Sequence, residues 1–153
     1  MGSIPPELLA CSRSDPVRGV LLMPDAGRQI YSGALPPFEL LAEEGRLTPA
    51  DVGAFILSFE YWRGPQRFRG RVRFDSVRAY RYRTEGHSTA WHMGDTFNAV
   101  HEVVGSEWVA ELAADEHTGT RWEMHHFLVY LDDDGCYEVV AQSWSLLPEE
   151  VLA

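Results

Sequence analysis

Six histidines, at positions 87, 92, 101, 117, 125 and 126, are the residues of this chain best suited to acid–base or metal chemistry. Their spacing limits what they can do. His125 and His126 are adjacent, so on a strand they point to opposite faces. His87 and His92 are five apart, which matches neither the i,i+4 of a helical ligand pair nor the i,i+2 of a strand pair, and no HExxH occurs. No metal centre is expected. Neither is a cofactor, since GxGxxG and Walker A signatures are absent. Glu85, His87, His92 and Asp95 flank one irregular stretch beside Trp91. That is the best constellation for proton transfer that the sequence offers. There is no GxSxG and no kinase signature set. Cys136 follows three acids, which disfavour a thiolate. The balance points away from an enzyme.

Two further groupings have both a chemical and a plain reading. Asp132-Asp133-Asp134-Gly135 resembles half a calcium loop. With the glycine at the sixth position, position one would be Tyr130 and position twelve Ala141, and neither supplies a carboxylate. A hairpin turn is the better reading. Arg67, Arg69, Arg71 and Arg73 alternate with Phe68, Val72 and Phe74, which puts a ladder of guanidinium groups on one face of a strand. Such a ladder can grip phosphates. On a chain with no Lys, a net charge of −10 and no phosphate loop, it is better read as a sheet face paired with acids on neighbouring strands. Arg69, Arg71 and Arg73 also suit a protein contact, because Arg is enriched in interface hot spots.

The charge is uneven along the chain. Residues 63–83 hold eight Arg against Asp75 alone, a balance of +7, whereas residues 95–153 hold thirteen acids against Arg121, a balance of −12. An acidic chain repels nucleic acid, so a basic protein is the charged partner to expect. Glu107, Glu111, Asp115, Asp132, Asp133 and Asp134 are the candidate contact residues. The two cysteines, Cys11 and Cys136, form no disulfide framework and indicate a reducing compartment. The opening MGSIPPELLA has no basic n-region and no apolar h-region, and no run reaches a membrane span. A cytoplasmic location follows.

These residues are positioned by a β-rich frame. The length of 153 residues suits one domain, and 45% hydrophobic residues suit a packed core. Residues 1–16 read as a loose arm, with a small hairpin between 17–23 and 29–31. Pro36-Pro37-Phe38-Glu39 reads as the start of a short helix closed by Gly45. Thr48-Pro49-Ala50-Asp51 reads as a second helical turn, leading into a strand at 55–62. Strands at 67–74, with Gly70 as a bulge, and 77–83 complete a three-strand meander. Ser106 caps a helix carrying Trp108 and Leu112. The run at 124–147 is a central hairpin, buried on both faces, whose turn uses Gly135 for positive φ.

The fold expected is therefore α+β and β-rich: about eight antiparallel strands in a curved meander sheet or sandwich, with two or three short helices. The leading functional expectation is a non-catalytic, acidic protein-binding module, in the style of a bacterial immunity or antitoxin-like inhibitor. The alternative is a small-molecule binder or small enzyme. Its aromatic-lined pocket would lie inside the curved sheet, with the 85–95 loop at its mouth.

Overall fold

A computed structural model describes residues 27–93, 98–116 and 123–153 of the protein. The expected arm at 1–16, the strand at 17–23, Cys11, Asp95 and His117 lie outside the described residues. Ten strands are seen: β1 (Arg28–Ala34), β2 (Leu40–Pro49), β3 (Phe55–Arg63), β4 (Gln66–Asp75), β5 (Ala79–Thr84), β6 (Ala99–Val104), β7 (His125–Leu131), β8 (Gly135–Ala141), β9 (Ser143–Leu146) and β10 (Glu150–Leu152). Among the described residues, helical structure is limited to a 3-10 turn at Glu85–His87, one turn of helix α1 (Ala90–Met93) and the eight-residue α2 (Glu107–Ala114). The class is as expected, but the strands are more numerous and the helices fewer.

The strands form two antiparallel sheets. One has the order β1-β6-β7-β8-β5; the other runs β10-β4-β3-β2, with β9 also paired to β4. They pack face to face. Leu57, Phe59, Tyr61, Val72 and Phe74 from the second sheet meet Val100, Phe127, Val129, Leu131, Tyr137 and Val139 from the first. Phe74 and Phe127 bridge the layers with ring centroids 6.1 Å apart. The hairpin β7–β8 is the middle of its sheet, in register from His125–Ala141 to Leu131–Gly135, and Val129 and Val139 are fully buried. Apolar residues on both faces of a strand require cover on both faces. Here the second sheet covers one, and Trp91 helps cover the other, packed against Val103, Leu128, Tyr130 and Cys136.

Several local expectations are corrected. The helix expected from Pro36 is extended chain leading into β2. Its Ala- and Glu-rich helix propensity is overridden because β3 offers an edge: Glu39 N–H donates to Trp62 O at 3.1 Å, and Phe38 stacks on Tyr61 at 5.0 Å. Gly45 does not stop a helix. A Cβ there would sit 2.7 Å from the Tyr137 hydroxyl, so glycine lets β2 approach β8. Thr48 and Pro49 finish β2, and 50–53 is a turn closed by Ala54 N–H to Asp51 O at 3.0 Å. Gly70 is not a bulge; it pairs with Phe59 in unbroken register, and a Cβ would lie 2.9 Å from the Phe59 ring. The meander ends at β4. After Asp75 the chain switches sheets, so β5 pairs with β8 rather than β4. β9 makes the reverse switch, leaving the hairpin strand at Ala141 and joining β4. The two corners touch through Gln142 N–H to Asp75 O at 2.9 Å. In the hairpin turn Gly135 has positive φ (159°) as expected, and Asp133 takes a second positive φ of 70°. A Cβ at Gly135 would collide with Arg83 O. Residues 29–31 belong to β1, which pairs with β6. Among the described residues no helix is long and apolar enough to cross a membrane.

Candidate functional site

The Arg ladder lies on the outer face of the second sheet, and its charges are met within the molecule. Arg67 and Arg69 share Glu60 at 2.6 and 2.8 Å. Glu150 on β10 holds Arg69 at 3.1 Å and Arg71 at 3.0 Å, and Arg73 reaches Asp51 and Asp75, each at 2.8 Å. Cross-strand pairing of this kind follows directly from the register that sets Glu60 opposite Arg69. The Arg69 contact comes first among the causes that hold Glu60 below the usual carboxylate range. A shallow cleft of about 350 Å³ opens beside these pairs, where two irregularities in β2 break its register with β3.

The outer face of the first sheet is different, because its titratable groups are buried. His92, His101, His126 and Glu138 are all inside, as is Cys136. They come together because alternate residues of β5, β6, β7 and β8 share this face, with Arg81 opposite Glu138 and Arg83 opposite Cys136. Glu138 is the centre. It accepts from Arg81 Nε at 3.1 Å and Nη2 at 3.0 Å, and it faces His126 Nε2 at 2.8 Å. The other ring nitrogen, Nδ1, lies 2.8 Å from Ser106 Oγ. Ser106 also caps α2, accepting from Val109 N–H at 3.2 Å. Trp108 closes the group from above: its ring stands edge-on to His126 at 5.2 Å, and the Arg81 guanidinium lies 4.0 Å from its centroid. With Glu138 ionised, His126 Nε2 donates to it. In the neutral ring Nδ1 then accepts the Ser106 hydroxyl. Burial alone would raise the Glu138 carboxyl, but His126 and Arg81 more than offset that and bring it down to about 2. Burial raises the Cys136 thiol, and the nearby Glu138 charge adds to it, so a thiolate is disfavoured.

The segment 85–93 lies over this same face, not at the mouth of the space between the sheets. That space is filled by the aromatics expected to line a pocket, including Phe59, Tyr61, Phe74 and Tyr137. Glu85 accepts from Tyr130 Oη at 2.9 Å and from Asp133 N–H at 3.1 Å. His87 is exposed, beside Thr84 Oγ1 at 3.2 Å. His92 Nδ1 accepts from Thr89 N–H at 3.0 Å, and burial followed by the Arg83 charge pushes its pKa down. Glu85 and His92 are therefore held on one face but engaged by different partners.

The acidic candidates divide. Asp134 is buried and internal: it accepts from Tyr82 Oη at 2.7 Å, Tyr137 Oη at 2.6 Å and Gly45 N–H at 2.9 Å. It is a structural cross-link between the sheets and not part of an exposed surface. Asp132 and Asp133 are exposed, and with Glu85 they bring three carboxylates within 4.8 Å of one another. Partial burial, then the Asp133 and Glu85 charges, raise the Asp132 carboxyl. Glu107, Glu111 and Asp115 are exposed along α2, four residues apart, with no cationic partner among the described residues.

Sequence reasoning treated Ser106 only as a cap, counted His126 among six histidines without giving it a partner, and did not single out Arg81 or Glu138. A signal was available. Glu138 is the lone acid in the strand GCYEVVA, and a carboxylate in a strand buried on both faces needs a cation and hydrogen bonds. Searched against family models, curated proteins and solved structures, the chain finds no match.

Proposed function

We propose that the protein is a binding module whose exposed carboxylates, on α2 and in the β7–β8 turn, capture a basic partner protein. The supporting observation is that charge compensation is one-sided. The Arg face of the second sheet is neutralised by its own acids, whereas Glu107, Glu111, Asp115, Asp132 and Asp133 are exposed without cations among the described residues. Uncompensated like charge costs stability through self-repulsion and accelerates capture of an oppositely charged partner. An inhibitor of the immunity or antitoxin type is the form this reading takes. It places the protein in the cytoplasm with a protein, rather than nucleic acid, as its target.

The test is affinity capture from a cell lysate with the wild-type protein and with the combined variant Glu107→Gln, Glu111→Gln, Asp115→Asn. A specific basic polypeptide is expected with the wild type and not with the variant. Its association should slow as salt rises, because the Debye length falls from about 10 Å at 0.1 M to about 3 Å at 1 M. Capture that is indifferent to both the triple change and salt would remove these carboxylates from consideration.

A further inference from the structure

We infer that Ser106, His126 and Glu138 form a serine–histidine–carboxylate acyl-transfer site at the start of α2, an activity independent of the partner-binding reading. The carrying observation is a continuous chain of hydrogen-bond contacts. Ser106 Oγ is 2.8 Å from His126 Nδ1, and His126 Nε2 is 2.8 Å from Glu138 Oε1. A nucleophile, a base within reach of its proton, and a carboxylate that orients the base are the three roles such a site needs, and they are recognised by geometry rather than by sequence order. Arg81 holds the carboxylate through two hydrogen bonds, so the imidazole cannot swing away. Trp108 packs edge-on against the same ring.

The N-capping geometry assists the chemistry. Val109 N–H already donates to Ser106 Oγ at 3.2 Å, and this donor strengthens its bond as the oxygen gains charge. The positive end of the α2 dipole acts in the same sense. The amides of Glu107 and Trp108, in the first turn of α2, have no intrahelical acceptor. Glu107 and Glu111 are exposed on the same short helix, and their charge repels anions. The substrate class is therefore a small, uncharged carboxylic ester. Ser106 Oγ bonds to the acyl carbon as its proton passes to His126 Nδ1. The ester C–O bond breaks, and the alcohol leaves with that proton. Water then adds to the acyl carbon, yielding its proton to His126, and the acid departs as Ser106 regains a proton.

The experiment treats the full chain with a fluorophosphonate probe and locates the adduct by mass spectrometry. Adduct formation at Ser106 should exceed that at exposed serines such as Ser143 by about 100-fold, the lower range of what a positioned base supplies. The key variant is Ser106→Asn, which keeps a good helix cap and removes the nucleophile. It should stay folded, lose the adduct, and lose hydrolysis of 4-nitrophenyl acetate. His126→Asn should lose both as well. Glu138→Gln should slow labelling of Ser106, because the amide no longer fixes the imidazole tautomer that accepts the serine proton. An unlabelled Ser106 in the folded wild type would overturn the assignment. So would ester hydrolysis that persists in Ser106→Asn. Neither result bears on capture of a partner, which is read with the triple acidic variant.

Discussion

At the scale of single residues, Glu138 shows how a buried charge is made tolerable. It is 1% exposed in the middle of an apolar strand, and it survives there through three hydrogen bonds, two from Arg81 and one with His126. Arg81 is half exposed and His126 would still hold Glu138, so Arg81→Met should cost about 1–3 kcal/mol in urea unfolding, the loss of two charge-assisted hydrogen bonds to a buried carboxylate. The pH dependence has a definite sign. Glu138 titrates near 2 in the folded chain against an ordinary value of 4.5, so its contribution is present above about 4.5 and is lost as pH falls toward 2. Stability measured across that window should fall less steeply in Glu138→Gln than in the wild type. The histidines offer a second check. His125 is held by Glu123 at 2.9 Å and Glu102 at 2.7 Å, which raise its pKa, whereas burial lowers that of His92. In a histidine NMR titration His125 should protonate at a higher pH than a free imidazole and His92 at a lower one. The reverse order would contradict the packing described for both rings.

At the scale of elements, the second sheet depends on close approach. Gly70 lies under the Phe59 ring, and both sit in the packed interior where the ring has no room to retreat. Gly70→Ala should cost about 1–3 kcal/mol by overpacking, although alanine is ordinarily tolerated in a strand. Crystallography of the variant would show a displaced Phe59 if this is the cause. The central hairpin is a stronger test of the frame. Val129→Asp places an unpaired charge at a fully buried position between the layers and should abolish cooperative unfolding at neutral pH. Equal stability of that variant would show that β7 is peripheral.

On the whole-molecule scale, two strand exchanges between sheets tie the layers together at the Asp75–Gln142 corner, while the exposed carboxylates without cations among the described residues lie on α2 and in the β7–β8 turn. Function and stability are therefore expected to separate. The combined variant Glu107→Gln, Glu111→Gln, Asp115→Asn touches no ion pair among the described residues and should change unfolding free energy by no more than about 0.5 kcal/mol. A large loss would mean that these carboxylates hold α2 in place. Hydrogen exchange should mirror the same organisation, slowest in β7 and β8 and fast along the edge strands β1 and β10.

The sequence by itself determined what depends on near neighbours. Alternation placed Arg69, Arg71 and Arg73 on one face and Phe68, Val72 and Phe74 on the other, because side-chain direction in a strand has period two. Two-sided apolar content marked β7 as central, and Ser106 was legible as a cap because the requirement is local. What only the tertiary structure decided was partnership between distant segments. Residues 40–49 carry helix-forming side chains yet form a strand, since an open edge of β3 outweighs a weak intrinsic preference. The break after Asp75, which sends β5 to β8, is a choice between two edges that the strand's own residues do not encode. For the same reason the group of Ser106, His126, Glu138 and Arg81 was invisible as a unit. Its members come from one helix cap and three strands, and what joins them is register: His126 lies opposite Val140 and Glu138 opposite Arg81, and alternation turns the two acid–base side chains toward the helix that covers that face.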